Sequence, residues 1–428
     1  MSALLPRRWT KRRWVIVASL ATSVLVVLSL YLASLATRPP KAVARGAFEI
    51  LGASGKAPGA FSTLKEAVGA ARSGDTIEVT ANGPFELERL ALGDKALTIR
   101  AASGVRPVFV SQRRAAQMLT SKALLVLEGL EFRVEAGETS PPPVQPAFPS
   151  LGAVVSSTDA PLFVANCRFQ TPSQDRPAIA CAVDLLNSSY AELRNCEIKA
   201  WPGCGVMWEC NAAPSGGQAT NAELRLWVVN CVQLSETTLT VAQRAPVRAA
   251  ITLQRNTLSA RVALDLRALV ARPGLSLFAG TNVFDCPLFL KQVLRVGAGE
   301  LKQSVQWKES HNLFNVPLAF SGPGSGTNTP SLTDLTAWNQ YWDQTNTGSA
   351  HLRHRRGRPF LASRAETLTA SAAQQASWLG EQIAAAGGDR AIAYGAALER
   401  VGPGQAYDTW RRSPEYQQWQ ERIRQFQR

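Results

Sequence analysis

The chain has 428 residues, of which 46% are hydrophobic and 18% charged, a balance that supplies a large core and excludes a wholly disordered protein. Its formal charge of +14 is concentrated in part at the N-terminus, where Arg7, Arg8, Lys11, Arg12 and Arg13 contribute five, leaving about +9 on the rest. No aromatic residue interleaves with the densest basic cluster, residues 351–358, as a single-strand nucleic-acid groove requires, so no nucleic-acid partner is expected.

In chain order, RRWTKRR (7–13) precedes an uncharged apolar run from Trp14 to Ala36, and RPPK closes it. Its 23 residues would span about 34 Å as a helix, enough for a bilayer. The basic flank places the N-terminus in the cytoplasm and the body outside. A cleaved signal peptide is the competing reading, because ASLA ends in small residues near Ala36; the length of the run favours an uncleaved anchor. The segments are then a cytoplasmic tail (1–13), a transmembrane signal-anchor (14–36), a linker (37–47), a β-solenoid with a capping helix (48–335), and a basic loop with a helical cap (336–428).

FSTLKEAVGAARSGDTIEV opens with Ser62 or Thr63 as a helix cap and puts Leu64, Ala67, Val68 and Ala71 on one face. Gly74 and Asp75 end the helix, and Ile77 and Val79 begin a strand with period two. A short amphipathic helix of this kind covers the open end of a solenoid.

A degenerate repeat follows: a short apolar strand, a small or polar residue, one variable residue, then a large apolar one. It appears as LLVLEGLEF, LFVANCRF, AELRNCEI, ITLQRNTL, LFAGTNVF and KESHNLF, with LWVVNCVQL matching if one extra residue stands before Leu234. The special position is Leu130, Cys167, Cys196, Cys231, Asn256, Asn282 and Asn312, at intervals of 25 to 37 residues. One strand group per repeat, without alternating long helices, argues against a doubly wound sheet and for a stack of parallel coils. A β-sandwich with strands that end in Asn is the alternative. Coils stacked about 4.8 Å apart place equivalent residues in columns, so Asn256 is expected to turn inward, to link its amide to the coils on either side, and to accept the left-handed backbone of the turn. Of the seven cysteines, Cys167, Cys196 and Cys231 stand at the repeat position, where parallel Cβ vectors hold stacked pairs slightly too far apart for disulfides, so free thiols are expected there. Cys181 and Cys286 read as core, and Cys204 and Cys210 lack a second pair for zinc.

Three insertions, 138–150, 211–221 and 321–330, interrupt the coils. HLRHRRGR then collects Arg353, Arg355, Arg356 and Arg358 with His351 and His354, a cluster suited to carboxylate or phosphate, or simply a solvated loop. An alanine-rich segment (363–386) and SPEYQQWQERIRQFQR, capped at Ser413 and Pro414, read as helices on the C-terminal end of the solenoid, with VGPGQ as the turn between.

TLKEAVGAARSGDTIEV, ALTIRAASGVRPVF and VGPGQAYDTWRRSPEYQQW resemble the right-handed parallel β-helix (pectin lyase-like) modules of planctomycete membrane proteins. Those modules are often fused, outside the membrane, to serine/threonine kinases. The resemblance covers about 48–428 and implies a single-stranded right-handed parallel β-helix. The chain departs from the fusions in lacking a glycine-rich phosphate loop and the HRD and DFG elements.

Many β-helices that this one resembles cleave acidic polysaccharides, which takes clustered carboxylates or a basic residue beside a carboxylate-held cation. Asp184 and Asp265 fall at comparable strand positions about three coils apart, roughly 14 Å and too far to act as a pair. They read as solvent-facing strand ends, and no Ser-His-Asp set can be drawn from His311, His351 and His354. No cofactor or metal is expected. The leading expectation is a membrane-anchored exported module that binds or organises an envelope polysaccharide or protein. The alternative is a lyase or glycoside hydrolase acting on an acidic glycan.

Overall fold

The computed structural model describes residues 46–52, 59–111, 118–135, 153–170, 181–211, 223–269, 274–292, 298–315, 318–321, 335–345, 347–351 and 394–427. The chain divides into two compact units, Met1–Ala44 and Arg45–Arg428, and every described residue belongs to the second.

Strands dominate, and nearly all of them pair in parallel with their counterpart in the next coil, the pattern of a β-solenoid. The first face stacks Thr76–Val79, Leu97–Ala101, Leu125–Glu128, Leu162–Ala165, Tyr190–Arg194, Glu223–Val229, Arg248–Gln254, Leu275–Gly280 and Val305–Ser310, which mark coils one to nine. A forked sheet of 16 strands forms the other two faces, and the long strands Glu197–Cys210, Val232–Gln243 and Thr257–Ala268 cross from one to the other. In the first of these a register shift between Ala200 and Cys204 marks the bend. The repeat read from the sequence is therefore the corner between the first and second faces. The third face carries no comparable motif.

That corner separates two jobs that the sequence assigns to one residue. Leu130, Cys167, Cys196, Cys231, Asn256, Asn282 and Asn312 do form one inward column, each fully buried. The left-handed backbone belongs instead to the residue before: Gly129, Asn166, Asn195, Asn230, Arg255, Thr281 and His311 have φ between 51° and 72°. Asn256 Nδ2 donates to Val228 O at 2.8 Å and to Asn282 Oδ1 at 2.9 Å, while its Oδ1 accepts the Cys231 amide at 2.8 Å. Asn282 repeats the pattern with Leu253 O and Asn312 Oδ1. The seven cysteines are free and buried, with Cys231 Sγ accepting the Cys196 amide at 3.4 Å.

Two residues along, Phe109, Phe132 and Phe169 stack with centroids 5.5 and 5.4 Å apart, which adds about 0.5–1.5 kcal/mol per pair beyond area burial. In the next coils this column runs through Ile198 and Gln233 to Leu258, Phe284 and Phe314. Gln233, not an offset Leu234, thus occupies the apolar slot. The buried amide is held by Thr238 O at 2.7 Å and Ser235 Oγ at 3.2 Å. Gly205 makes room for it, since a Cβ there would lie 1.3 Å from Gln233 Nε2.

Helix α1 (Leu64–Ala70) starts at a capping box made by Thr63 and Glu66 and buries Leu64, Ala67 and Val68. The antiparallel strands Phe48–Leu51 and Gly59–Phe61 extend the first face beyond Thr76–Val79, so two strands precede the one expected to be first. Helix α2 (Ala298–Ser304) precedes the ninth coil. Helix α3 (Leu335–Tyr341) caps the C-terminal end, with Trp338 edge-on to Trp307 and Phe289 at 5.5 and 5.3 Å.

Helices α4 (Gln405–Trp410) and α5 (Pro414–Gln427) lie along the flank and not on the C-terminal end. A strap leads to them, running backward over the left-handed corner. Gly395 N bonds Thr281 O at 2.8 Å, Ala397 N bonds Asn230 Oδ1 at 2.7 Å, and Asn166 Nδ2 donates to Arg400 O at 2.7 Å and Gly402 O at 3.0 Å. The corner's outward polar groups, unpaired within the stack, draw the chain there. Among the described residues no helix is long and apolar enough to cross a membrane. The segment 14–36 lies outside them.

Candidate functional faces of the solenoid

On the third face, Asp184 and Asp265 stand in one column, separated by Met207 and Thr240. Three steps of about 4.8 Å keep them about 14 Å apart. Neither is a solvent-facing strand end: both are mid-strand, Asp265 is 2% exposed, and Asp184 is only partly exposed. Ser156 Oγ donates to Asp184 at 3.3 Å, and Arg267 Nε to Asp265 at 3.1 Å. Burial, with the charge of Glu209, pushes Asp184 up to about 6.

Glu209 is one strand over and two residues along from Asp184. Sequence reasoning passed it over, although its period-two alternation with Trp208 and Cys210 marks it as outward. Its carboxylate accepts Asn211 Nδ2 at 3.2 Å, and Asn187 Nδ2 holds the nearby Asp159 at 3.0 Å. These are amide-satisfied turn groups. Beside them Ala153, Cys181 and Cys204, with Met207 against them, form a small buried cluster separate from the main one; Cys181 and Cys286 are both buried core residues, as expected, Cys286 in the main cluster. Burial pushes the Cys204 thiol up to about 11, which leaves it a weak nucleophile. Among the described residues no three His, Cys, Asp or Glu side chains are placed to hold a metal.

His311 occupies the left-handed corner with its Nδ1 2.6 Å from Ser310 Oγ, and Gly348 lies against its ring. His351 pairs in register with Phe314. Arg353, His354, Arg355, Arg356 and Arg358 lie outside the described residues, as do the insertions apart from Asn211 and Ser321.

The first face is divided in two. Over coils three to five the chain's own C-terminus covers it. Glu128, fully buried, accepts hydrogen bonds from Tyr407 Oη at 2.7 Å, Tyr416 Oη at 3.1 Å, and Trp419 Nε1 and Gln420 Nε2, both at 3.0 Å. Glu192, also fully buried, takes a bidentate pair from Arg422 at 3.0 Å. Phe426 packs on Tyr190 and Phe163 with centroids 4.9 and 5.5 Å away. Gly129 is needed under this contact, since a Cβ there would lie 2.4 Å from the Tyr407 ring.

Over coils six to nine no described element lies over the same face. One outward column reads Trp227, Thr252, Phe278 and Lys308. Phe278 is 39% exposed. Beside this column a groove of about 620 Å³ is lined by Glu223, Arg248, Gly274, Ser276, Gln303 and Gln306. Arg225 bridges Glu223 at 2.9 Å. No family model, no curated protein and no solved structure matches this chain.

Proposed function

We propose that this chain is a membrane-tethered, exported, right-handed parallel β-helix of the pectin lyase-like kind that acts as a binding module in the cell envelope. The observation that carries this reading is the open half of the first face: a rigid parallel sheet that presents aromatic, amide and cationic side chains where the C-terminal helix stops covering it. Surface recognition on solenoids uses extended faces of this type. The arginine asymmetry about residues 14–36 supports the tether and the cytoplasmic-membrane location, and Arg353, Arg355, Arg356 and Arg358 supply a second cationic element for acidic partners.

Protease added to intact spheroplasts should digest the body and spare only the short N-terminal tail, whereas full protection refutes export. Full-length protein in detergent should sediment with purified envelopes. An enzymatic reading rests on Asp184, whose raised carboxyl beside Glu209 would suit a general acid. It requires release of reducing or unsaturated sugar ends that Asp184→Asn abolishes.

A further inference from the structure

We infer that Cys181 and Cys204 form a two-coordinate site for a soft monovalent cation of the copper(I) kind, with the Met207 thioether at its rim. The site lies on the third face and goes beyond the envelope-binding reading, on which it does not depend.

The first observation is placement. Cys181 and Cys204 are register partners in adjacent parallel strands, with Ala153 at the same position one coil earlier. The three pack together, with Met207 against them, apart from the main core. A Cβ on Gly205 would strike the Gln233 amide inside the coil, so its neighbour Cys204 faces the other side of the sheet. There the Cys204 Sγ lies 3.3 Å from Thr240 Oγ1, in the column that also carries Asp184, Met207 and Asp265. Cys204 keeps 7% exposure and Met207 is half-buried, which gives an ion a way in. The corner column of Cys167, Cys196 and Cys231 is fully buried and offers none.

The second observation is spacing. Register partners on one side of a parallel sheet, in matching rotamers, hold their side chains at about the strand spacing of 4.8 Å. A disulfide asks for about 2.05 Å between its sulfurs, so this pair is too far apart to oxidise within the native sheet. An ion bonded linearly to two thiolates, at about 2.3 Å each, separates them by about 4.6 Å. The stack therefore presents two sulfurs at the span of a sulfur–metal–sulfur unit without moving either strand.

The third observation is the donor set. Among the described residues no three His, Cys, Asp or Glu side chains are placed to hold a metal, so tetrahedral zinc and oxygen-seeking calcium find too few ligands. Two thiolates and a thioether are the donors that soft ions select. Binding forms two metal–sulfur bonds, releases one proton from each thiol to solvent and leaves a complex with one negative charge; no electron is transferred. Cys204 gives up the proton that it donates to Val206 O at 3.0 Å. The Thr240 hydroxyl then donates to its sulfur and orients it, as groups behind a metal ligand do.

The test titrates reduced, metal-free full-length protein in detergent micelles, without oxygen, with silver(I) as a redox-inert probe and with copper(I) against a chromophoric chelator. Intact-mass spectrometry counts the ions, and ultraviolet thiolate-to-metal charge transfer reports the bonds. One ion per chain should bind, and excess zinc(II) should not displace it. Cys181→Ala and Cys204→Ala should each abolish the one-ion complex; the alanine at Ala153 shows that the column accepts this side chain. Thr240→Val should weaken binding about 10-fold, Met207→Leu should weaken it less, and Cys286→Ala should leave it unchanged. Silver(I) should raise the thermal midpoint of the parent and of Cys286→Ala but of neither site variant, which keeps the test readable where a variant's own midpoint falls. The inference is overturned if the parent holds no ion against the chelator, if both site variants bind as the parent does, or if zinc(II) competes equally. It is also overturned if mild oxidation of the folded protein joins Cys181 to Cys204 in peptide maps, because sulfurs that meet at bonding distance are not spaced for an ion.

Discussion

Replacing Asn256 with Leu tests the corner architecture most directly, because the consequence can be worked from three hydrogen bonds. The Asn256 Oδ1 accepts the Cys231 amide at 2.8 Å, and its Nδ2 donates to Val228 O and Asn282 Oδ1. Leucine has the same branched heavy-atom framework, is somewhat larger and buries well, so the change leaves no cavity. It leaves the Cys231 N–H without its acceptor at a fully buried position, which costs about 1–3 kcal/mol, and it removes a donor from each of two buried oxygens, each about 0.5–1.5 kcal/mol. Asn282 Oδ1 keeps the Asn256 backbone N–H at 2.9 Å, so its loss is the smallest. A total of about 2–5 kcal/mol is expected. Cys196→Ala is the control: its Sγ donates only weakly to Val164 O and Arg194 O, at 3.6 and 3.2 Å, so about 1 kcal/mol of buried volume is lost. Urea denaturation of both variants should order them this way, and hydrogen exchange should show the Cys231 amide losing protection in Asn256→Leu. Equal denaturation midpoints, or a Cys231 amide as protected as before, would refute the inward ladder as a source of stability.

Glu309 is buried at the solenoid end, and neither carboxylate oxygen makes a well-formed hydrogen bond among the described residues. Burial pushes it up to about 7, a shift partly offset by the nearby Trp307, Trp338 and Asn312 side chains. A carboxyl raised in the folded state contributes stability fully below its unfolded value near 4.5 and loses it as pH rises through about 7. The tryptophan-rich end should therefore loosen between pH 5 and 8, seen as a fluorescence change that Glu309→Gln abolishes. Glu128→Ala strands four donors from α4 and α5; at about 1.5–3 kcal/mol for each charged contact the C-terminal helices should detach, and limited proteolysis should cut α5 at least ten times faster. Gly129→Ala adds a Cβ 2.4 Å from the Tyr407 ring at φ 72°, so it should also accelerate cleavage of α5 while the midpoint of the coils moves little.

The corner was legible because it repeats. From the fourth coil on, each coil places a cysteine or an asparagine at the inward turn, and that demand recurs every 25 to 35 residues whatever the loops do. The third face was not legible: its distance along the chain from the motif varies, with Asp184 17 residues after Cys167 and Asp265 nine after Asn256, so the column containing the two could be counted in coils but not assigned an environment. Gln233 misled the alignment because its compensation lies on another coil, where Gly205 vacates the space. The position of α5 was hidden for the same reason. Its polar partners, Glu128 and Glu192, sit almost 300 and 230 residues upstream, and nothing local to SPEYQQW states which end or flank of a solenoid it will cover.

The two corner columns explain why the flank was chosen. In coils four to six the amide stands at the left-handed, outward residue, Asn166, Asn195 and Asn230, and cysteine takes the inward place behind it. In coils seven to nine the order reverses: Arg255, Thr281 and His311 turn the corner, and Asn256, Asn282 and Asn312 lie inside. Asn230 Nδ2 donates to Asn195 Oδ1 at 2.7 Å, Asn195 Nδ2 to Asn166 Oδ1 at 3.3 Å, and the ladder ends on strap carbonyls. An amide ladder on the outside satisfies itself along the stack but still offers groups at its margin, and these bind residues 397–402. An amide ladder on the inside offers no side-chain amide outward, and there the strap is held by Thr281 O and Thr257 Oγ1 instead. The switch from one to the other sets where side-chain amides hold the strap and leads α5 onto coils three to five.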